Sequence, residues 1–268
     1  MPELPDDEGV RRVLAEHATD APIDRVDVID PGVVRDIDED RFREELDGRM
    51  LAEPTRHGKW LLAPLHVPEQ RHRPEDPTLI FHFGMTGSLD WSSRDDPRDP
   101  YDRVVLGFGD RELRFRDMRK LRGVRLASDD DGVRDLLDGL GPDAAAVSLA
   151  RLRERLAERR GRLKSTLMNQ DVIAGLGNLL VDEILWRARL HPRRKVSDLD
   201  DGDLERLHRT MKDVLRRSMR AGHVPTTSRW LTGRRDTDDA PCPRCGRPLR
   251  RDRIDARRTV WCQYCQPA

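Results

Sequence analysis

The 268-residue chain has no long apolar run, no signal-like start, no net charge and only four cysteines, and each absence narrows what it can be. No stretch approaches the roughly 20 consecutive apolar residues that a bilayer-spanning helix needs, which excludes a helical membrane protein. The first eight residues (MPELPDDE) are acidic and proline-bearing, without the basic and apolar regions of a secretory signal, so the expected location is the cytoplasm. Lys plus Arg and Asp plus Glu each number 50, so bulk charge makes no case for a nucleic-acid partner. Internal repeats and low-complexity segments are absent as well.

What is present suits a polar-surfaced protein long enough for two domains with real cores: 36% of residues are hydrophobic and 37% charged. The charge is unevenly distributed. Residues 151–164 hold Arg151, Arg153, Arg155, Arg159, Arg160, Arg162 and Lys164 against Glu154 and Glu158, and residues 244–258 carry seven arginines against two aspartates. Acids gather elsewhere, as in Asp129-Asp130-Asp131 and Asp198 to Asp203. Such a chain can be neutral overall and still present basic faces to phosphate. Each basic run is equally compatible with a solvated helix face.

Periodicity changes along the chain. Val10, Val13 and Leu14 recur at helical spacing from Asp6 to about His17, with acids at the N-terminal end where the dipole favours them. Residues 24–29, 60–65, 78–84, 103–108, 112–116 and 124–127 are short segments rich in Val, Leu, Ile and Phe, separated by Pro, Asp and Gly and interrupted by a short helix from Arg41 to Leu46. That pattern predicts a β-sandwich or barrel-like N-terminal domain. After Gly139-Leu140-Gly141-Pro142 the pattern turns helical. Ser148 is placed to cap a helix bearing Leu149, Leu152 and Leu156, and Leu163, Leu167 and Met168 suggest another. Val172 to Leu185 (VIAGLGNLLVDEIL) breaks at Gly175 and Gly177 and resumes as a helix. Asp203 caps a last long helix closed by Gly222, and 223–240 reads as a polar linker with an ordered patch at Trp230-Leu231.

Four stretches carry candidate chemistry. If Met1 is removed, the chain begins with the secondary amine of Pro2, a nucleophile able to form an iminium on an aldehyde-like carbon, with Glu3, Asp6, Asp7 and Glu8 nearby for proton transfer. The alternative is an ordinary extended lead-in to a helix. Cys242-x2-Cys245 and Cys262-x2-Cys265, with sixteen intervening residues, have zinc-ribbon spacing, which would make the metal structural and leave no open position for a substrate water. Two disulfides are the other reading and need an oxidising compartment. The folded tail would present Arg250, Arg251, Arg253, Arg257 and Arg258 on a rigid hairpin. Gly175 to Asn178 could free N–H groups at a helix start to hold an anion, or be a plain turn. Finally, His57 to Leu62, Phe81 to Gly87 and Phe115 to Leu121 place Lys59, His82, Met85, Arg119 and Leu121 at the ends of β-segments, where core and surface roles are equally open.

Taken together these motifs point one way. The PELP start, HGKWLL, HFGMTG, RDMRK, VIAGLGNLLVDEIL and the four-cysteine tail occur in the order and with the spacing of the formamidopyrimidine-DNA glycosylase and endonuclease VIII family, which the chain resembles over almost its whole length. The resemblance implies that Pro2 attacks the anomeric carbon of a damaged deoxynucleotide and that β- and δ-elimination then cut the strand. By the same resemblance Glu3 protonates the sugar ring oxygen, Lys59 contacts phosphate and assists, and Asn178 and Arg257 pin the phosphates around the lesion. Met85, Arg119 and Leu121 would fill the hole left by the extruded nucleotide, whose flipping costs a few kcal/mol that apolar wedges offset. Asp6, grouped with these DNA-facing residues, stands where the family usually has the longer Glu, and Leu121 stands where Phe is more usual.

The implied architecture is α+β. A β-sandwich catalytic domain would occupy residues 1–128, a helix-two-turns-helix DNA-binding domain 142–222, and a zinc ribbon holding one structural Zn2+ on Cys242, Cys245, Cys262 and Cys265 would occupy 238–268. The implied protein is a monomeric, nucleoid-associated DNA glycosylase and AP lyase. Its partner would be double-stranded DNA with an oxidised base, purine or pyrimidine, or an abasic site. The rival is a non-catalytic damage-binding protein on the same scaffold, for which Asp6 and Leu121 speak.

Overall fold

The computed structural model describes residues 2–268; Met1, whose removal would free the Pro2 nitrogen, lies outside the described residues. The chain divides into two compact units, one built from Pro2 and residues 7–138, the other from residues 3–6 and 139–268.

Helix α1 (Leu4–His17) opens the chain, starting two residues before the Asp6 expected from the apolar periodicity. The first unit then runs through β1 (Arg25–Val28), β2 (Val34–Arg35), α2 (Glu39–Leu46), β3 (Met50–Leu51), β4 (Thr55–His57), β5 (Trp60–His66), β6 (Thr78–His82), β7 (Ser88–Ser93), β8 (Asp102–Phe108), β9 (Arg111–Arg116), β10 (Gly123–Ala127) and α3 (Asp130–Leu137). Among the described residues the strands form two sheets, β1-β8-β9-β7 and β2-β10-β6-β5-β3, with β4 added on β5. Both sheets contribute to one core. Val104, Leu106, Leu113 and Phe115 of the first meet Leu61, Leu79, Phe81 and Val124 of the second, and Phe81 and Phe115 lie 6.1 Å apart between ring centroids. This is the expected sandwich: alternating side chains of two sheets burying a common apolar layer.

The short strands β2, β3 and β4, the strand β7 and the helix α3 lie outside the segments read from the sequence. β7 (SLDWSS) lies at a sheet edge and has almost no buried position, so it lacks the apolar run that marks the others. The acidic run at 129–131 starts a helix: the Asp129 side chain accepts from Gly132 N and caps α3.

The second unit contains α4 (Leu149–Ala157), α5 (Leu163–Met168), α6 (Asn178–Ala188), α7 (Asp201–Ala221) and a hairpin of β11 (Arg250–Ile254) and β12 (Arg257–Trp261). Ser148 caps α4 through Arg151 N at 3.2 Å, as expected. The cap of α7 is Asp200, not Asp203. Asp203 sits at the third position of the helix and completes a capping box with it, because a run of aspartates offers the backbone several starts. Gly222 closes the helix with φ +72°. α6 is buried nearly all round and forms the centre of the apolar cluster that includes Leu4, Leu163, Leu167, Leu207 and Met211. The segment 223–240 is more than a linker. Trp230, Leu231, Thr232 and Arg235 are all buried, and Gly233 is so closely approached by the Thr226 and Thr227 carbonyls that any Cβ would collide with them at 2.2–2.4 Å. No helix among the described residues is long and apolar enough to cross a membrane.

Candidate active site

Pro2 is half-buried, and Glu3, its neighbour, is completely buried. The Glu3 carboxylate lies at the N-terminus of α6, where Oε1 accepts from Leu179 N at 2.7 Å and Oε2 from Leu180 N at 2.9 Å. The GxGN turn thus does hold an anion at a helix start, and the anion is a side chain of the same protein. Two donated N–H groups and the positive helix end favour the ionised form of this carboxyl group. The glycines are explained by the same contact. A Cβ on Gly177 would stand 2.3 Å from Glu3 Cδ, and one on Gly175, whose φ is +106°, would meet Leu4 Cδ1 at 2.5 Å. Leu4 N also donates to Gly175 O at 3.3 Å. Sequence spacing alone could not pair residues 3 and 177.

Asp6 Oδ2 accepts from the Glu3 main-chain N–H at 2.8 Å. The shorter side chain therefore still reaches the backbone between Pro2 and Glu3. Burial pushes the Asp6 carboxyl group above its usual range, opposed by that hydrogen bond.

Lys59 sits at the tip of the two-residue turn joining β4 to β5, after Gly58 at φ +59°. The turn is tied to α1: Arg56 donates Nη1 to Gly58 O at 2.8 Å and its Nε lies 3.6 Å from Glu8 Oε2. Trp60 meets the His82 ring edge-on at 4.5 Å. His82 Nδ1 accepts from Gly84 N at 3.0 Å, and burial, with Arg122 and Lys59 nearby, pushes its imidazole down to about 4. His82 is therefore a neutral structural group that links the Lys59 turn to the Met85 loop.

Met85, Met118 and Leu121 are among the exposed large apolar residues of the chain, at 39%, 52% and 49%. Arg119 Nη1 lies 3.0 Å from Met85 Sδ, and an ideal Cβ on Gly84 would be 3.5 Å from Leu121 Cβ, so the two loops form one projecting group. Their scaffold was not evident in the sequence. Thr86 Oγ1 donates to Asp117 Oδ1 at 2.6 Å, Arg119 N donates to the same two side chains, and Arg35 donates to the carbonyls of Lys120 and Arg122 at 2.7 and 2.8 Å. Met118 is a further exposed residue that the motif comparison passed over.

In the second unit the hairpin of β11 and β12 is joined to α6 and its neighbours chiefly at one carbonyl. Arg258 O accepts from Lys164 Nζ at 3.1 Å, Asn178 Nδ2 at 3.0 Å and Arg235 Nη2 at 2.8 Å. Lys164 and Arg235 share the buried carboxylate of Asp182, Lys164 at 2.6 Å. The two arginines weighed for phosphate differ here. Arg258 is paired with Asp236 at 2.9 Å, whereas the guanidinium of the exposed Arg257 has no hydrogen-bond or ion-pair partner among the described residues. A charged pair inside the apolar VDEIL segment was the available signal for Asp182; nothing in the spacing pointed to Arg235.

The four cysteine sulfurs all lie within 4.8 Å of one another. The Cys242 to Cys265 and Cys245 to Cys262 distances, 3.9 and 3.5 Å, are far too long for disulfides of about 2.05 Å. They fit the edges of a tetrahedron with metal–sulfur bonds of about 2.3 Å, roughly 3.8 Å. Trp186 Nε1 and Arg244 N both point at Cys242 Sγ from 3.4 Å, donors that suit a thiolate. The cluster is a candidate metal site.

Residues 1–124 match the family model described as formamidopyrimidine-DNA glycosylase N-terminal domain, and 139–229 match the H2TH domain of the same enzymes. Among curated proteins, a formamidopyrimidine-DNA glycosylase of Symbiobacterium thermophilum is 34% identical over 100% of this chain and 90% of that one, and one of Desulforamulus reducens is 31% identical over 100% of both. Among solved structures, a point mutant of the Lactococcus lactis Fpg protein bound to Fapy-dG DNA superposes with a TM-score of 0.87 at 27% identity, and the Lactococcus lactis Fpg protein bound to abasic-site DNA with 0.87 at 28%, each over 100% of both chains. Fold, motif order and these full-length similarities agree that the chain belongs to the formamidopyrimidine-DNA glycosylase family.

Proposed function

We propose that this chain is a base-excision DNA glycosylase and AP lyase that removes oxidised purines from duplex DNA through a Schiff base on Pro2. The purine preference rests on its relatives, which are named for formamidopyrimidine and include complexes with Fapy-dG DNA. One observation carries the chemistry: the carboxyl group next to the Pro2 nitrogen is buried and accepts two main-chain N–H groups at the start of α6.

The steps balance as follows. The unprotonated Pro2 nitrogen forms a bond to C1′ as the glycosidic bond breaks and the base leaves, taking a proton from solvent. The new ammonium passes its proton to the Glu3 carboxylate. Neutral Glu3 returns that proton to the ring oxygen O4′ as the C1′–O4′ bond breaks, and the nitrogen lone pair forms the iminium. β- and δ-elimination from the iminium then release both phosphates. Lys59 at its turn tip, Asn178 at the start of α6 and Arg257 on the hairpin would hold backbone phosphates. Met85, Arg119 and Leu121 would occupy the vacated stack. The four cysteines would hold one zinc ion, whose contribution is to fold the ribbon; the full thiolate shell leaves it no catalytic position. The activity needs access to duplex DNA, which supports a location in the cytoplasm, at the nucleoid.

Borohydride should trap the purified protein covalently on abasic duplex DNA, and acetylating the N-terminus should abolish the adduct. Trapping that survives acetylation removes Pro2 from the mechanism. A protein that shifts abasic DNA without nicking it would instead be the damage-binding rival, and the Asp6 contact to Glu3 removes part of that rival's support.

A further inference from the structure

We propose that Arg235 is a positioning residue for the phosphate-binding arginine of the hairpin: it fixes Arg257 by clamping the next residue's carbonyl and both hairpin strands. This rests on the reading of Arg257 as a phosphate contact.

The clamp works from two sides of one residue. The Arg235 guanidinium pairs with Asp182 and donates Nη2 to Arg258 O at 2.8 Å. Its own carbonyl accepts from Arg251 Nε of β11 at 3.3 Å and from Arg258 Nη2 of β12 at 3.2 Å. Neighbouring carbonyls extend the strap, since Arg251 Nη2 also donates to Arg234 O at 3.2 Å and to Thr237 O. Arg251 and Arg258, basic residues of the hairpin, are thereby consumed in holding it.

Charge balance argues that the guanidinium is there for its geometry. Lys164 alone neutralises Asp182 from 2.6 Å, and Val260 N donates to the other carboxylate oxygen at 3.2 Å. A second buried cation is not needed for that carboxylate, and burying one is costly unless it is fully bonded. Lys164, on α5, also bridges Asp182 to Arg258 O and to Thr259 Oγ1, at 3.1 and 2.8 Å, but it cannot tie that junction to the segment before the ribbon. The planar fork of an arginine does so, and few other side chains could. Arg235 touches no exposed surface where DNA could reach it, being 4% exposed, so any effect on phosphate binding must pass through the groups it bonds, the hairpin and Asp182 of α6.

The test is a double-mutant cycle on the full-length zinc-loaded protein with a duplex carrying a tetrahydrofuran abasic analogue, read as Kd and as the slope of log K against log salt. Arg257→Ala should weaken binding on the order of tenfold, the scale of a charge-assisted hydrogen bond, and lower the salt slope by about 0.9. Arg235→Met should weaken binding and lower the slope in the same direction although it touches no phosphate. The double variant should bind no worse than Arg257→Ala alone, within about twofold. Arg235→Lys, which keeps the charge beside Asp182 but not the fork, should fall between wild type and Arg235→Met, and covers the case in which the methionine variant does not retain its zinc. Multiplicative losses in the double variant, or a lysine variant with unchanged Kd and slope, would overturn the proposal while leaving Arg257 as a phosphate contact. An Arg257→Ala protein that binds like wild type would overturn that contact itself, and the role of Arg235 with it.

Discussion

Replacing Gly177 by alanine isolates the contact on which the proposed chemistry depends. Gly177 caps α6 with φ −119° and ψ −172°, extended backbone that any residue adopts, so alanine carries no conformational penalty there. The penalty is a collision. The new Cβ would stand 2.3 Å from Glu3 Cδ and 2.5 Å from Cγ and Oε1, about 1 Å inside van der Waals contact. Glu3 is fully buried and both its oxygens are held by α6 N–H groups, so it has no open direction in which to yield. Displacing the carboxylate by about 1 Å should lower the single-turnover rate by about 100-fold. Weakening two hydrogen bonds to a charged acceptor, each contributing about 1.5–3 kcal/mol, should after partial repacking remove roughly 2–4 kcal/mol of stability, a fall of roughly 5–15 °C in Tm. Rapid-quench assays of strand cleavage at a preformed abasic site, beside a thermal melt, give both numbers. A rate within about threefold of wild type would refute the claim that Glu3 must stay at the start of α6.

Further outcomes follow from other parts of the molecule. Chelation, or Cys245→Ser, should release one zinc per chain by elemental analysis and abolish binding to abasic duplex, with residues 7–138 still folded by hydrogen exchange. Met85→Ala should slow base excision from duplex about tenfold yet leave cleavage at a preformed abasic site nearly unchanged, because no base then has to be extruded; equal losses on both substrates would contradict a wedge. His82, held at about 4 by burial, binds fewer protons folded than unfolded. Its contribution is therefore complete above about pH 6.5 and is lost as pH falls toward 4, about 2 kcal/mol of it between pH 7 and pH 5. Urea denaturation should show this loss reduced in His82→Gln, and an identical loss in both proteins would contradict it.

Much of this protein was readable from its residues in order. Short Val, Leu, Ile and Phe segments specified the sandwich strands because each must bury one face, Ser148 and Gly222 marked helix ends through backbone chemistry that is local, and paired Cys-x2-Cys knuckles specified a metal-binding tail. Most of the unread parts share one physical cause: their meaning comes from a partner far away in the chain. β7 is polar because it is a sheet edge, which only the strand order reveals. The glycines at 175 and 177 read as a turn until Leu4 and Glu3 are found packed against them. Arg235 looked like one more basic residue in a polar linker, and only the fold sets it beside Asp182 and the carbonyl of Arg258. Sequence alone determined the principal strands and helices and which family they compose, since propensity, capping and metal spacing act over a few residues. The tertiary structure decided which carboxylate sits at which helix start and which arginine faces outward, because burial and pairing are set by residues 20 to 180 positions apart.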